Sequence, residues 1–324
     1  MLDIKSYMPV VKGLAFTAVF MLSCYLAEGQ QTPLNPISYW VFTPYLYNPA
    51  MVGSKDYLSV DINAAFEGKS NALVLAGNTR LSKYASGYFG NQGVREFKNF
   101  GIAGSLFKNT NGPSQNIGAS LGGSLQIPLN MRKLSFLSFG VSVKGIYNTL
   151  DTSSGLSGSA LKKSIYPDLD VGIYFYGTNI FVGLSATDML RNEKDPETVQ
   201  VREIPVTRQY YFTAGYKILL SKSLNIVLEP SVLINASDST LHKISDNINP
   251  ILKLYLEDFC IGSYFHNNGK ISFFFQYKYS KFYVGAFFEL PKKSPYFKRT
   301  PLVEVTAGIN LQIDKSRYTR HSHW

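Results

Sequence analysis

The chain has 324 residues, a formal net charge of +10, 22 tyrosines, 22 phenylalanines and only 17% charged residues. This length allows one large all-β domain or two ordinary domains. So many aromatic side chains with so few charges argue against an ordinary soluble enzyme. They are typical of a β-sheet whose outer face meets lipid.

The N-terminus has the features of a cleavable signal peptide. Two lysines accompany an apolar run, Gly13 to Tyr25, which is shorter than the roughly 20 residues of a membrane-spanning helix. The sequence Ala27-Glu28-Gly29 then supplies a small-x-small cleavage site. We therefore predict export, with residues 1–29 removed and Gln30 as the first mature residue. An uncleaved anchor, or a lipoprotein signal at Cys24, is the alternative.

Cleavage would leave Cys260 as the one cysteine of the mature chain. An intramolecular disulfide and a cysteine-based metal site are then excluded. The removed segment carries no net charge, so the +10 belongs to the mature protein. For an exported protein this basic balance indicates anionic lipid headgroups or surface polymers as partners, and not nucleic acid.

After the signal peptide, apolar and polar residues alternate with a period of two, which predicts β-strands with one apolar face. The clearest examples are Asn116–Ile127 and Val303–Ile313. The pattern predicts an all-β fold, a transmembrane antiparallel β-barrel of about 14 strands. The other predicted strands are Tyr57–Phe66, Ala72–Leu81, Phe100–Lys108, Leu137–Asn148, Pro167–Tyr176, Ile180–Thr187, Gln209–Leu220, Leu224–Asn235, Ile251–Leu256, Phe259–Phe265, Ile271–Tyr279 and Phe282–Leu290.

From the third strand onward the predicted connections alternate between short turns and longer polar loops. Ser221-Lys222-Ser223 is typical of the short set and Thr149–Tyr166 of the long set. Outer-membrane barrels show this asymmetry, with short turns on the periplasmic side. One connection, Ser82–Asn99, is long although the strand count places it on the short side. A soluble two-layer sandwich is the alternative fold, and strands of roughly ten residues argue against it.

The chain therefore divides into four predicted parts. Residues 1–29 are the signal peptide, 30–56 a periplasmic or plug segment, 57–313 the outer-membrane β-barrel and 314–324 a basic tail. Within the second part, Gln31–Gly53 is rich in proline and aromatic residues and too irregular for a strand. We expect it inside or beneath the barrel as a plug.

Side chains with catalytic or metal-binding potential are few. The four histidines fall in predicted loops or in the tail, and no catalytic motif accompanies them. Asp168 and Asp170 could bind calcium, but further oxygen ligands are not evident nearby, which favours a solvated lumen face. The basic stretch Lys292–Arg299 is expected on an external loop, in contact with lipid phosphates or a partner protein. The sequence predicts no enzyme, no cofactor and no metal.

Four sequence elements carry a resemblance to a known family. They are Tyr45–Ser54, which contains the N-P-A-x-x-G pattern, Val182–Ala186, Tyr211–Tyr216 and Leu228–Leu233. In order and spacing they resemble the PorP/SprF family of type IX secretion system membrane proteins from Bacteroidetes, over nearly the whole mature chain. The chain departs from the family at Asp188 and after Tyr264, where a histidine and an arginine are usual. The candidate motif or partner-contact residues are Asn48, Pro49, Gly53, Gly183, Ser185, Gly215, Tyr216, Pro230 and Ser231.

Three of these residues also have a direct physical interpretation. Asn48 and Pro49 favour a tight turn, and Gly53 can take a positive φ, so this element is expected to bend the chain into the first strand. A turn without any partner contact explains the same residues equally well. Pro230 lacks a ladder donor and predicts a bulge or irregularity in its strand.

The resemblance implies a non-enzymatic outer-membrane component of the type IX secretion or gliding machinery, which helps export or anchor a surface protein cargo. The implied partners are other components of that machinery, the secreted surface protein and outer-membrane lipids, without nucleic acid. The barrel and its charge alone also allow an outer-membrane channel or transporter for small hydrophobic or anionic solutes.

Overall fold

A computed structural model describes residues 38–55, 57–68, 70–81, 100–112, 114–130, 134–151, 161–190, 208–238, 240–266, 269–279, 281–290 and 301–311. The predicted signal peptide, the first part of the plug segment, the Lys292–Arg299 stretch and the basic tail lie outside these residues. No helix among the described residues has the length and apolarity needed to cross a membrane.

The described chain opens with a short helix, α1 (Ser38–Phe42), followed by two 3₁₀ turns, Pro44–Leu46 and Pro49–Met51. Nearly all the rest is β-strand, and one further 3₁₀ segment, Leu241–Asn247, lies between two strands. The strands are β1 (Leu58–Glu67), β2 (Ser70–Leu81), β3 (Phe100–Asn111), β4 (Ser114–Asn130), β5 (Ser135–Asp151), β6 (Leu161–Tyr176), β7 (Ile180–Thr187), β8 (Gln209–Tyr216), β9 (Ile218–Ser221), β10 (Ile226–Ser237), β11 (Ile248–Leu256), β12 (Phe259–Phe265), β13 (Ile271–Tyr279), β14 (Phe282–Leu290) and β15 (Val303–Leu311).

Neighbouring strands pair antiparallel around a closed ring. β1 pairs with β15 at one join and β10 with β11 at another, so the ring of strands is closed. β8 and β9 are separated by Lys217 alone, and both pair with β10, so they form one position in the wall. Fifteen strand segments therefore make a barrel of 14 strands. The predicted fold is confirmed.

Side chains alternate between the two faces of the wall, as the sequence pattern predicts. On β4, Leu121 and Leu125 are exposed on the outside, whereas Ser124 and Gln126 are buried in the lumen. Large apolar side chains are exposed in the same way on strands all around the ring. This apolar outer surface suits lipid, and the polar inner surface suits water or a polar filling.

From β4 onward the connections at one end of the barrel are short, and we call it the short-turn end, although two-residue turns also join β1 to β2 and β3 to β4 at the other end. One turn of the short-turn end joins β11 to β12 through Glu257 and Asp258. Leu81 at the end of β2 pairs with Phe100 at the start of β3, so the two strand ends on either side of the predicted Ser82–Asn99 connection lie at this end. The strand count is therefore correct at this point. Short turns are periplasmic in barrels of this class.

The prediction for Pro230 is corrected in one respect. Its own strand, β10, pairs with β11 in unbroken register through Pro230 and Leu252. The interruption lies in the strand on the other side of β10, at Lys217. Gly215 of β8 and Ile218 of β9 both pair with β10, and the pairing is broken between them. A proline supplies no N–H to that ladder, which explains why the irregularity falls opposite it.

Candidate functional site in the barrel lumen

The segment before β1 makes its contacts with inward-facing side chains of the barrel. Asn48 caps the second 3₁₀ turn, since its side-chain oxygen accepts a hydrogen bond from the Ala50 N–H at 3.0 Å. Gly53 has a φ of 64°, as predicted for the bend into the first strand. Both local features follow from the residue types, because Asn favours caps and Gly tolerates the left-handed region.

Aromatic side chains of this segment reach opposite parts of the wall. Trp40 stacks on Tyr47 with ring centroids 4.5 Å apart, and both rings contact Tyr211 of β8. Phe42 packs edge-on against Phe274 of β13, with centroids 6.1 Å apart. Residues 38–53 are therefore held from two sides of the barrel.

A row of small residues crosses the inner wall beneath the N-P-A-x-x-G element. It is formed by cross-strand neighbours on β3 to β7, each paired with the next, and we call it the small-residue row. Its members are Gly101, Ser124, Gly140, Gly172 and Ser185.

The glycines of this row allow the backbone of the motif to approach the wall. A Cβ on Gly140 would stand closer than 3.0 Å to the backbones of Pro49 and Ala50. A Cβ on Gly172 would meet the Asn48 side chain in the same way, and one on Gly101 would lie 2.5 Å from the Val52 carbonyl oxygen. Any larger residue at these positions would displace the motif.

Asn48 binds the wall through its side-chain amide. Its Nδ2 donates to the carbonyl oxygens of Ile173 on β6 and Leu184 on β7, at 3.3 and 3.4 Å. The same nitrogen lies 2.9 Å from the place where a Cβ of Gly183 would stand. With its oxygen on Ala50, the buried amide has partners at both ends.

The end of the motif is anchored by three further hydrogen bonds. The Val52 carbonyl oxygen accepts from Ser124 Oγ at 2.6 Å and from Gln126 Nε2 at 2.9 Å, both on β4. The Gly53 N–H donates to Asn78 Oδ1 on β2 at 2.9 Å. The whole element from Asn48 to Gly53 thus contacts five consecutive wall strands, from β3 to β7, and β2 beside them.

Buried charged side chains inside the barrel are bonded to neighbouring polar and charged groups, and the first of these groups is centred on Asp61. Asp61 accepts from Tyr45 Oη at 2.7 Å, from Ser59 Oγ at 3.2 Å and from the hydroxyl of Tyr283. Tyr45 belongs to the N-terminal segment, so this bond also ties that segment to β1. Asp61 is 2% exposed.

Glu229 of β10 is the centre of the second group. It forms ion pairs with Lys253 Nζ at 2.9 Å and Lys217 Nζ at 3.8 Å, and it accepts from Tyr255 Oη at 3.1 Å. Lys217 interrupts the strand pair opposite β10 and directs its ammonium group into the lumen. Buried carboxylates of this kind require such partners.

Asp168 and Asp170 face the lumen, but their partners are not those of a cation site. Asp170 pairs with Lys144 at 2.7 Å, and Asp168 accepts the backbone N–H groups of Leu169 and Leu190. Within the described ranges no group of three or more His, Cys, Asp or Glu side chains could hold a metal ion. Asp188 lies near Lys144 at 3.9 Å and joins this network.

The outer surface of the wall is concave where the small-residue row lies inside. A depression of about 1110 Å³ follows the outer faces of β3 to β8 and reaches the 3₁₀ segment Leu241–Asn247. Phe139, Val141, Ile173 and Leu184 line it, and each is exposed. The wall is therefore drawn inward over the N-P-A-x-x-G element.

The nine predicted site residues fall into two groups. Asn48, Pro49, Gly53, Gly183 and Ser185 meet at the small-residue row or directly beside it. The other four lie near the Lys217 interruption. A Cβ on Gly215 would meet the Phe181 ring and Ser231, whereas Tyr216 is half exposed and Pro230 takes the position beside the break. These four lie at the Lys217 interruption and not at the small-residue row.

Sequence reasoning missed Gly101, Gly140 and Gly172, which form most of the contact with the motif. Gly101 and Gly140 each share their strand with another glycine, and Gly172 is the single glycine of β6, but nothing local to any of these strands links the glycine to the motif. The row could have been found by counting the strand register from the hairpin turns, because its members are cross-strand partners of one another.

A closed antiparallel barrel with an apolar outer face and a polar, charged interior is the architecture of an integral outer-membrane protein. The chain is therefore a β-barrel protein of the outer membrane. Several solved barrels are similar to it in fold. The translocator domain of the autotransporter NalP from Neisseria meningitidis has 10% sequence identity and a TM-score of 0.39, covering 80% of this chain and 89% of that one.

Two other solved barrels are similar to the same degree. Outer membrane phospholipase A from Escherichia coli has 9% sequence identity and a TM-score of 0.36, covering 82% of this chain and 98% of that one. The KdgM porin has 10% sequence identity and a TM-score of 0.36, covering 78% of this chain and 98% of that one. No curated protein sequence matches the chain. The chain belongs to the PorP/SprF family, described as type IX secretion system membrane proteins, which it matches over residues 29–309.

Proposed function

We propose that this protein is a non-enzymatic component of the type IX secretion or gliding machinery that helps export or anchor a surface protein cargo. Family membership over residues 29–309 supports the machinery. The observation that carries the proposed mode of action is the N-P-A-x-x-G element, which is bonded to the inner wall through Asn48 and Val52.

This arrangement favours a platform over an open pore. Residues 38–53 contact β8 on one side and β13 on the other, which supports the proposal that they act as a plug. The plug, the lumen and the loops at the far end then supply surfaces for other components of the machinery and for the cargo. A channel for small hydrophobic or anionic solutes would need this segment to leave the lumen.

Single-channel recording separates the two functions. The purified protein in a planar bilayer is expected to show no steady conductance. A variant that lacks residues 38–54 is expected to conduct, if it folds with the heat-dependent gel mobility of the parent barrel. A steady open pore in the parent protein would contradict the platform and favour the channel.

The role in secretion is tested in the bacterium. Deletion of the gene is expected to abolish surface display of one cargo protein, and the wild-type gene to restore it. Gly140→Leu should fail to restore display, because it removes the place where Pro49 and Ala50 rest. Gly145 is on the same strand, and a Cβ there meets nothing within 4 Å, so Gly145→Leu should restore surface display. Unchanged secretion and motility in the deletion strain would refute the role.

A further inference from the structure

The depression on the outer surface of the wall is a groove that runs obliquely across the barrel. It follows a row of outward-facing side chains, each paired with the next from strand to strand, from Leu81 on β2 to Ile234 on β10. Leu81 is the last residue of β2 at the short-turn end, whereas Ile234 lies close to the opposite end of β10. Because barrel strands are tilted, such a row climbs across the wall, and the groove therefore spans most of its height.

The groove has a floor of small residues and a lip at one end. The floor includes Gly123 on β4, Ala186 on β7 and Ala236 on β10, and the large exposed side chains stand beside it. At the end opposite the short turns, Leu241 and Ile244 also line the groove, and their 3₁₀ segment packs against β10. Ala236 faces outward there and is nevertheless only 4% exposed. With about 1110 Å³, the groove exceeds the roughly 300–1,000 Å³ of common ligand sites.

The lining of the groove selects an apolar occupant. Each strand from β3 to β8 is paired on both sides where it borders the groove, so a peptide strand has no backbone groups to bind there. The groove is continuous with the apolar outer face, which meets the hydrocarbon of the bilayer. Lipid tails are as apolar as this lining, so an apolar helix gains nothing over them by transfer alone. Acyl chains therefore fit the groove best.

Two opposite charges lie where the groove ends. Tyr210 of β8 lines the groove, and the side chains of Arg208 and Asp238 both interact with its hydroxyl. Arg208 precedes β8 and Asp238 follows β10, so both lie just beyond the strand ends, at the level of lipid headgroups. A guanidinium group binds phosphate in a bidentate way, and a carboxylate accepts hydrogen bonds from an ammonium group. The pair thus complements a headgroup that carries both a phosphate and an ammonium group.

We propose that this groove binds a diacyl phospholipid of the ethanolamine type, with its acyl chains over the small floor residues and its headgroup at Arg208 and Asp238. The apolar groove supplies the affinity for the chains, and the two charges supply the preference for the headgroup. Such a lipid is held at one defined place on the barrel, unlike the lipids that contact the rest of the outer face. The site does not depend on the secretion role.

The test uses the full-length mature protein, purified in detergent and stripped of lipid. Palmitoyl-oleoyl phosphatidylethanolamine should raise the thermal unfolding midpoint in a saturable way, and native mass spectrometry should show a single lipid adduct. Phosphatidylcholine with the same chains should need a roughly tenfold higher concentration, because its quaternary ammonium group cannot donate a hydrogen bond to Asp238. Asp238→Asn, which lies outside the strands and so spares the fold, should remove this preference and keep the adduct.

Two matched variants test the groove itself. Ala186→Phe fills the floor and should abolish the adduct with both lipids. Ala307→Phe places the same ring on the exposed outer face of β15, outside the groove, and should keep the adduct. Heat-dependent gel mobility verifies that both variants fold.

Three results would overturn the proposal. A lipid response equal in Ala186→Phe and in the parent protein would place the lipid elsewhere. Equal responses of the parent protein to the two lipids would refute the headgroup assignment. A mass of two protein chains that Ala186→Phe abolishes would assign the groove to a second copy of the chain.

Discussion

The backbone of Ala50 rests directly on Gly140. A Cβ on that glycine would stand closer than 3.0 Å to the Ala50 nitrogen and to Pro49. The contact joins the N-terminal segment to the middle of β5, about ninety positions further along the chain. It fixes the height and the orientation of the N-P-A-x-x-G element inside the barrel.

Gly140→Ala is therefore expected to destabilise the protein by about 1–3 kcal/mol through overpacking. It should also detach the segment that contains Trp40. The fluorescence of Trp40, measured in a Trp324→Phe background so that no other tryptophan contributes, should then shift to the red. Gly145→Ala is the matched control on the same strand, since a Cβ there meets nothing within 4 Å. Equal behaviour of the two variants would contradict the contact.

Asn48 offers a test of the side-chain hydrogen bonds. Asn48→Ala removes the donor to the carbonyls of Ile173 and Leu184 and should cost about 1–3 kcal/mol for groups left without partners. Asn48→Asp keeps the acceptor for Ala50 but brings a carboxylate against those two carbonyls, so it should cost more than alanine. Denaturant unfolding in detergent gives both values. A stable aspartate variant would show that the amide does not donate to the wall.

The ion pairs of Glu229 should be strongly coupled. Glu229→Gln leaves the buried ammonium groups of Lys217 and Lys253 without their carboxylate, at a cost of about 3–5 kcal/mol. Adding Lys253→Met should restore part of that loss, because one unpaired charge is removed. A double-mutant cycle measures the coupling, and additive effects of the two substitutions would refute it.

The hairpin that joins β12 to β13 should respond to pH through His266. Burial lowers the pKa of His266 below its ordinary value of 6.5, against the opposing attraction of Glu289. At a pH between the lowered pKa of the folded protein and the ordinary pKa of the unfolded chain, the unfolded chain binds the proton more readily. The contribution of this histidine to stability is therefore complete above about pH 6.5 and declines as the pH falls.

The measurement compares the wild-type protein with His266→Asn between pH 7.5 and 5. The free energy of unfolding of the wild type relative to the variant should decrease on acidification. A relative increase would mean that Glu289, which lies 3.3 Å from the ring, dominates and holds the histidine in its charged form.

The strands could be predicted almost to the residue where turns are short and polar. β7, β12, β13 and β14 begin and end at the predicted positions. β6 is the main exception, since it starts at Leu161 and not at Pro167. β7 joins β6 only from Val171 onward, so Pro167 has a strand partner on one side and its missing N–H is tolerated there.

The site was harder to predict because it depends on register. The motif residues Asn48 and Gly53 stand out locally as a cap and a positive-φ position. Gly140 and Gly172 acquire their role only when five hairpin-linked strands are aligned side by side, and no single strand contains that information. Tyr216 and Pro230 were predicted together with the motif residues, but they lie at the Lys217 interruption. Residues that belong to one sequence pattern therefore need not share one site.

At Gly140 the outer depression and the motif are separated by a single layer of peptide backbone. Phe139 is exposed on the apolar outer face, and Ala50 lies on the other side of the wall, in the lumen. A change in lateral pressure or lipid thickness that flattens this depression would also move the surface on which Ala50 rests. Because the wall is thin here, a deformation of the membrane is transmitted to the segment inside the barrel.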